Sequence, residues 1–206
     1  MQLESASIRN GEPISATNAL GVPGVAGPVP GPNRSPHLAW SGEPPGTRSF
    51  VLLCHDRDAP TSAEDVNRAD RSVPWGLPRA DFFHWVLVDI PASVHELAEG
   101  QDAEGLVVGG KPPGATPHGA RGLNDYTGWF AGDAAMAGDY AGYDGPWPPF
   151  NDERVHHYVF TLHAVDVATL GLPARCTGQQ ARDALAGHVL ATATIEGTYA
   201  LNPSAR

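Results

Sequence analysis

The chain has 206 residues, 41% of them hydrophobic and only 17% charged. This globular composition excludes a disordered or coiled-coil chain. Thirteen Lys plus Arg against 23 Asp plus Glu leave a formal charge of −10, which disfavours nucleic acid and anionic membrane surfaces as partners. Glycine (24) and proline (20) are abundant, which argues for many turns and against a helical bundle.

The first fifteen residues, MQLESASIRNGEPIS, lack a basic stretch followed by an apolar one, so no secretory signal is expected. No run approaches the 18 apolar residues of a membrane span. Cys54 and Cys176 form no CxxC pair. A cytoplasmic protein with reduced thiols is therefore expected.

Residues 20–36 carry four glycines and five prolines and are expected to be an irregular surface segment. Residues 49–55 (SFVLLCH) read as a buried strand bounded by turns. Residues 61–80 are polar and irregular, a loop long enough to suggest a lid or rim. Residues 82–90 (FFHWVLVDI) are the strongest strand pattern, ended by Pro91. Residues 105–153 are again rich in glycine and proline. Residues 157–167 (HYVFTLHAVDV) read as a strand by their β-branched and aromatic content. A helix is expected near 178–189: Thr177 and Gln180 form a capping box, and Ala181, Ala184, Leu185, His188 and Val189 share one face. Residues 190–199 read as a last strand. The whole, residues 1–206, is expected to be a single, mostly β domain.

Two groups of residues stand out chemically. Strand alternation places Phe82, His84 and Val86 on one face, and His156, Tyr158 and Phe160 on one face. An imidazole among such apolar neighbours costs free energy unless it has a partner. Asp56 and Asp58 close the first strong strand at i, i+2, which again predicts a shared face. Each feature alone fits an ordinary core histidine or an ordinary turn. Together they leave three chemistries open: a metal site, although no HxH or HExxH spacing is present; acid–base machinery with a carboxylate-oriented imidazole; or an anion pocket completed by the glycine-rich turn at 142–146. No GxSxG, SxxK, P-loop or dinucleotide fingerprint is present.

Several motifs then line up in order. SPHLAWSG (35–42) resembles an SPxLxWSG signature. HDRDAP (55–60) resembles a DPDAP box, FHWV (83–86) an HWV strand, GLNDY (122–126) a GxNDF turn and GYDGPWPP (142–149) a GYxGPxPP segment. HHYVFTLHAVD (156–166) resembles HRYxFTLYALD, and GHVLATATIEGTY (187–199) a GHxLAxAxLxGTY ending. Over residues 35–199 the chain resembles the phosphatidylethanolamine-binding protein (PEBP) family, in its bacterial Raf-kinase-inhibitor-like branch.

The resemblance implies a PEBP-like fold: a large central antiparallel sheet packed on a smaller sheet, with short peripheral helices. It also implies a surface pocket for phosphate-like anions, lined here by Asp56, Pro60, Phe82, His84, Gly145, Pro146, His156 and Tyr158. The expected function is binding of a small anionic or phospho-ligand of the phosphatidylethanolamine-headgroup type. His84 and His156 would donate to an anionic oxygen, Tyr158 and an amide near Gly145 would assist, and Asp56 would orient a histidine. No catalytic residue is assigned, and no metal or cofactor is expected. If the same group acts as an enzyme, Asp56, His84 and His156 would carry acid–base chemistry on a small molecule. A regulator acting through its outer surface is a third reading, and a homodimer is left open. No nucleic acid and no integral membrane association is expected. The chain departs from the family at Arg57, Trp147, His157 and Phe82, and in extensions at 61–80 and 127–141.

Overall fold

The computed structural model describes residues 1–206. The strands are β1 (Gln2–Glu4), β2 (Gly21–Val22), β3 (Val29–Pro30), β4 (Leu38–Ser41), β5 (Ser49–Pro60), β6 (Arg79–Pro91), β7 (Glu96–Leu97), β8 (Gly114–Thr116), β9 (Gly119–Arg121), β10 (His156–Val165) and β11 (Val189–Tyr199). Two short helices are α1 (Tyr126–Trp129) and α2 (Gly178–Ala184). A six-stranded sheet runs β11-β10-β5-β6-β9-β8, a smaller sheet runs β1-β4-β7, and β2 pairs with β3. Every strand pairing is antiparallel. The mostly β fold of a large sheet on a small one is thus as expected. The glycine- and proline-rich segment 20–36 departs slightly, since it holds the two-residue pairing of β2 with β3.

The large sheet is covered on both faces, which is why β5 reads as an unbroken apolar run rather than an alternating one. On one face Phe50, Leu52, Trp85, Leu87, Phe160 and Leu162 pack against Leu38, Trp40 and Leu97 of the small sheet. On the other, Val51, Leu53, Phe83, Val86 and Val88 pack against Ala181 of α2, Leu185 and Cys176.

The capping box of α2 is present: the Thr177 hydroxyl accepts from the Gln180 amide, and the Gln180 side chain accepts from the Thr177 amide. The helix nevertheless ends at Ala184, not near 189. Gly187 takes φ +83°, a conformation that ends a helix at low cost, and Val189 already belongs to β11 with its side chain exposed.

Two irregularities between β5 and β6 decide where the polar side chains point. Cys54 pairs with Trp85 but His55 pairs with Phe83, so His84 is an extra residue on β6. Asp56 pairs with Phe82 but Ala59 pairs with Ala80, so β5 carries an extra residue at Arg57–Asp58. Such bulges break the two-residue alternation. Phe82 and His84 share a side as expected, but Val86 does not: it joins Phe83 on the opposite face.

Candidate functional site

The bulge at His84 frees the backbone groups of Phe83 from the ladder. Asp125 takes both, its carboxylate accepting from the Phe83 amide at 2.7 Å and its amide donating to the Phe83 carbonyl at 2.9 Å. The GLNDY turn therefore docks α1 beside β6. Tyr126 then lies 5.1 Å from Phe82 and 5.4 Å from His84, ring centre to ring centre.

His84 is held at both ends of its residue by Asp144. Its Nδ1–H donates to the Asp144 carbonyl at 2.8 Å, and the Asp144 amide donates to its carbonyl at 2.9 Å. The Asp144 carboxylate is fixed in turn by Lys111 Nζ at 2.8 Å and by Asn33 and Asn124, each at 2.9 Å. With Nδ1 as donor, Nε2 of neutral His84 carries the lone pair, and it makes no hydrogen bond within the protein. Burial pushes the imidazole below its ordinary pKa, against the opposing pull of Asp56 and Asp144, so the ring is neutral at pH 7.

His156 is fixed differently. Its Nδ1 donates to Asp56 Oδ2 at 2.6 Å and its Nε2 to Asp152 Oδ2 at 3.1 Å. Arg79 binds the same Asp152 in a fork, at 2.5 and 2.9 Å. Burial works against the imidazolium, but the two carboxylates outweigh it and raise the pKa to about 9. Burial likewise works against the Asp152 carboxylate, but His156 and Arg79 hold it at about 2. Both ring nitrogens of His156 are thus occupied by protein, which corrects the expectation that His156 donates to a ligand. Asp56 does orient a histidine, as expected, and that histidine is His156.

These residues open onto a cavity of about 290 Å³, near the lower end for small-molecule sites. Asp56, Ala59 and Pro60 come from β5, Phe82 and His84 from β6, and His156 and Tyr158 from β10. Tyr126, Trp129 and Phe130 come from α1 and the residue after it, and Trp147, Pro148 and Pro149 from the proline-rich segment. The long loop supplies Val66 and Asn67. That loop is pinned by Asn151, whose side-chain amide donates to the carbonyls of Asp65, Arg68 and Arg71. Both extensions, 61–80 and 127–141, therefore reach the cavity wall.

Six of the eight expected site residues line the cavity. Gly145 and Pro146 lie behind it. The Gly145 amide is spent on Asn33 Oδ1 at 2.8 Å and its carbonyl accepts from the Tyr126 hydroxyl, so it offers no free donor to an anion. A Cβ at Gly145 would sit 2.1 Å from the Asn18 carbonyl oxygen, so the glycine serves close backbone packing. Pro146 accepts from the amides of Leu20 and Gly21. Asp58 does not share the cavity with Asp56, because the bulge turns it to His157 Nδ1 at 2.8 Å and to Arg154. Arg57 points to Glu196.

Besides His84 Nε2, a second buried group of the lining residues is unspent. The Tyr158 hydroxyl is buried with no hydrogen-bond partner, and its ring centre lies 5.0 Å from that of His84. Sequence reasoning missed Asp152 and Asp144 as partners of the histidines, and Arg79 and Lys111 as the cations that hold those two aspartates. The only local signal was the four-residue spacing of Asp152 and His156, which reads as a turn when β10 has not been placed.

The sequence model of the phosphatidylethanolamine-binding protein family matches residues 4–200. The chain belongs to this family. Among its PEBP relatives, the UPF0098 protein YbhB of Escherichia coli (strain K12) is 31% identical over 199 residues, covering 97% of this chain and 99% of that one. The UPF0098 protein YbcL of the same organism is 30% identical over 201 residues, covering 96% and 86%. The crystal structure of E. coli YbcL, described as a new member of the mammalian PEBP family, superposes with a TM-score of 0.68 at 29% identity, covering 97% of each chain. A putative PEBP homologue from Chlamydia trachomatis gives 0.63 at 28%, covering 96% and 95%. Membership supports a PEBP-type binding protein. No helix is long and apolar enough to cross a membrane.

Proposed function

We propose that this protein binds a small phospho-ligand in the cavity between β5, β6 and β10. One ligand oxygen accepts from the Tyr158 hydroxyl, a second, protonated oxygen donates to His84 Nε2, and the attached group lies against Phe82, Trp129, Phe130 and Trp147. The observation that carries this reading is the buried Tyr158 hydroxyl, which has no protein partner in a wall that is otherwise mostly apolar. Leaving such a hydroxyl unsatisfied costs about 1–3 kcal/mol, a cost that a ligand oxygen removes. The Asp56–His156–Asp152–Arg79 chain is the frame that holds β5, β6 and β10 in place around the cavity.

The test is a titration with inorganic phosphate, O-phosphoethanolamine and acetate, followed through the histidine rings by NMR. Saturable shifts of His84 that are weakened about tenfold in Tyr158→Phe, roughly one lost hydrogen bond to a charged group, support the reading. No saturable shift at millimolar ligand, or shifts indifferent to the substitution, overturns it.

A second reading has one observation in its favour. A neutral imidazole with a free Nε2, its ring centre 5.0 Å from that of a tyrosine with an unpartnered hydroxyl, is also the arrangement of a general base with an oxyanion donor. Recovery of the bound ligand unchanged after prolonged incubation argues against it.

A further inference from the structure

The cavity wall contains no lysine and no arginine. Its only cationic group is His156, and both nitrogens of that ring are bonded to carboxylates. Across the chain Asp56, His156, Asp152 and Arg79 the charges cancel. Among the buried residues of the wall, the groups left without a hydrogen-bond partner are one donor, the Tyr158 hydroxyl, and one acceptor, His84 Nε2. A ligand bearing two negative charges would stand beside the Asp56 carboxylate with no free cation to balance it, at a high electrostatic cost in a buried site. An oxyacid that keeps one proton meets both groups: its P–OH donates to His84 Nε2 and its P=O accepts from Tyr158.

Resting on the phospho-ligand reading above, we infer that this pocket selects a phosphate monoester over the matching diester, because the complex needs one proton shared between the ligand and His84. The same proton count holds whether the pair is written as neutral His84 with a monoanion or as imidazolium with a dianion. A diester has no proton to share and satisfies only Tyr158. The groups facing His84 set this preference. They are Asp56 from β5, His156 and Tyr158 from β10, Tyr126 from α1, and Asp144 with its partner Lys111 from the segments behind. None of them is an unpaired cation able to replace the shared proton. The aromatic wall of Phe82, Trp129, Phe130 and Trp147 suits an aryl or alkyl group on the ester oxygen.

The experiment compares phenyl phosphate with methyl phenyl phosphate by calorimetry, in buffers of different ionisation heat. The second pKa of a phosphate monoester is about 6. Binding of phenyl phosphate is therefore expected to take up close to one proton near pH 8 and almost none near pH 5. Its Kd should rise about tenfold per pH unit above that pKa. The diester should bind at least about tenfold more weakly near pH 5.5, one hydrogen bond fewer, with Kd flat from about pH 6.5 to 8.5. Tyr158→Phe should weaken both esters, which places binding in this cavity. Equal affinity for the two esters, or binding of phenyl phosphate near pH 8 without proton uptake, overturns the inference and leaves the phospho-ligand reading standing. If neither ester binds at millimolar concentration at any of these pH values, or if Tyr158→Phe changes neither, both fall together.

Discussion

The buried imidazolium of His156 makes a quantitative prediction about stability. Its folded-state pKa is raised from 6.5 to about 9, because Asp56 and Asp152 grip both nitrogens. Below pH 6.5 the ring is charged in the folded and the unfolded chain alike, and its contribution is present in full. Above 6.5 the unfolded chain releases the proton while the folded one keeps it. Stability then falls by about 1.4 kcal/mol per pH unit until the folded ring titrates, a total of ~3 kcal/mol. Other groups narrow the useful window. His84, His55 and His163 are lowered by burial, so their opposite contribution is complete by pH 6.5. The buried thiol of Cys54 is pushed well up and adds a fall of the same sign only near the ordinary thiol range, about 8.5. Between about pH 6.5 and 8, the loss of about 2 kcal/mol is therefore assigned to His156. Urea unfolding across that range, with the ring titrated by NMR in parallel, measures it. His156→Gln should lose about 3–5 kcal/mol at pH 6.5, because two buried carboxylates lose their shared cation, and its stability should then be flat across the window. A wild-type curve that is flat there, or a His156 ring titrating near 6.5, would refute the reasoning.

Three further outcomes follow from the same contacts. Tyr158→Phe removes a hydroxyl that has no partner, so it should raise stability by about 1 kcal/mol in urea while weakening the phospho-ligand. Asn151→Ala removes the amide that binds the carbonyls of Asp65, Arg68 and Arg71. Hydrogen exchange and proteolysis should accelerate within residues 61–80 while β5, β6 and β10 stay protected, and ligand affinity should fall with them. Lys111→Met leaves the Asp144 carboxylate buried without its cation, so thermal or urea unfolding should show a loss of about 3–5 kcal/mol, accompanied by a displaced His84 ring signal.

What was legible in the sequence was what short-range periodicity controls. The four long strands, the Thr177 capping box and the common side of His156 and Tyr158 all follow from spacings of two to four residues. The face of Val86 was not legible. It depends on the extra residue at His84, which exists only relative to the pairing of β6 with β5. The end of α2 was missed for a related reason, since the apolar period ran on through residues that Gly187 diverts into β11.

The site shows the same division more sharply. His84 and His156 were picked out because imidazoles among apolar neighbours need partners, and Asp56 because it closes a strand with Asp58 at i, i+2. That logic finds the residues but not the nitrogens that remain free. His156 meets Asp56 across 100 residues of chain and Asp152 across four, and His84 meets Asp144 across 60. These pairings consume three of the four ring nitrogens, and the Gly145 amide is consumed by Asn33 across 112 residues. A group that a buried frame has fully satisfied is worth less to a ligand than a weaker group left unsatisfied, because only the latter gains a bond on binding. On the proposed reading Tyr158, which shares a strand face with His156 and which the family resemblance also implied, is therefore the side chain whose chemistry a ligand would complete.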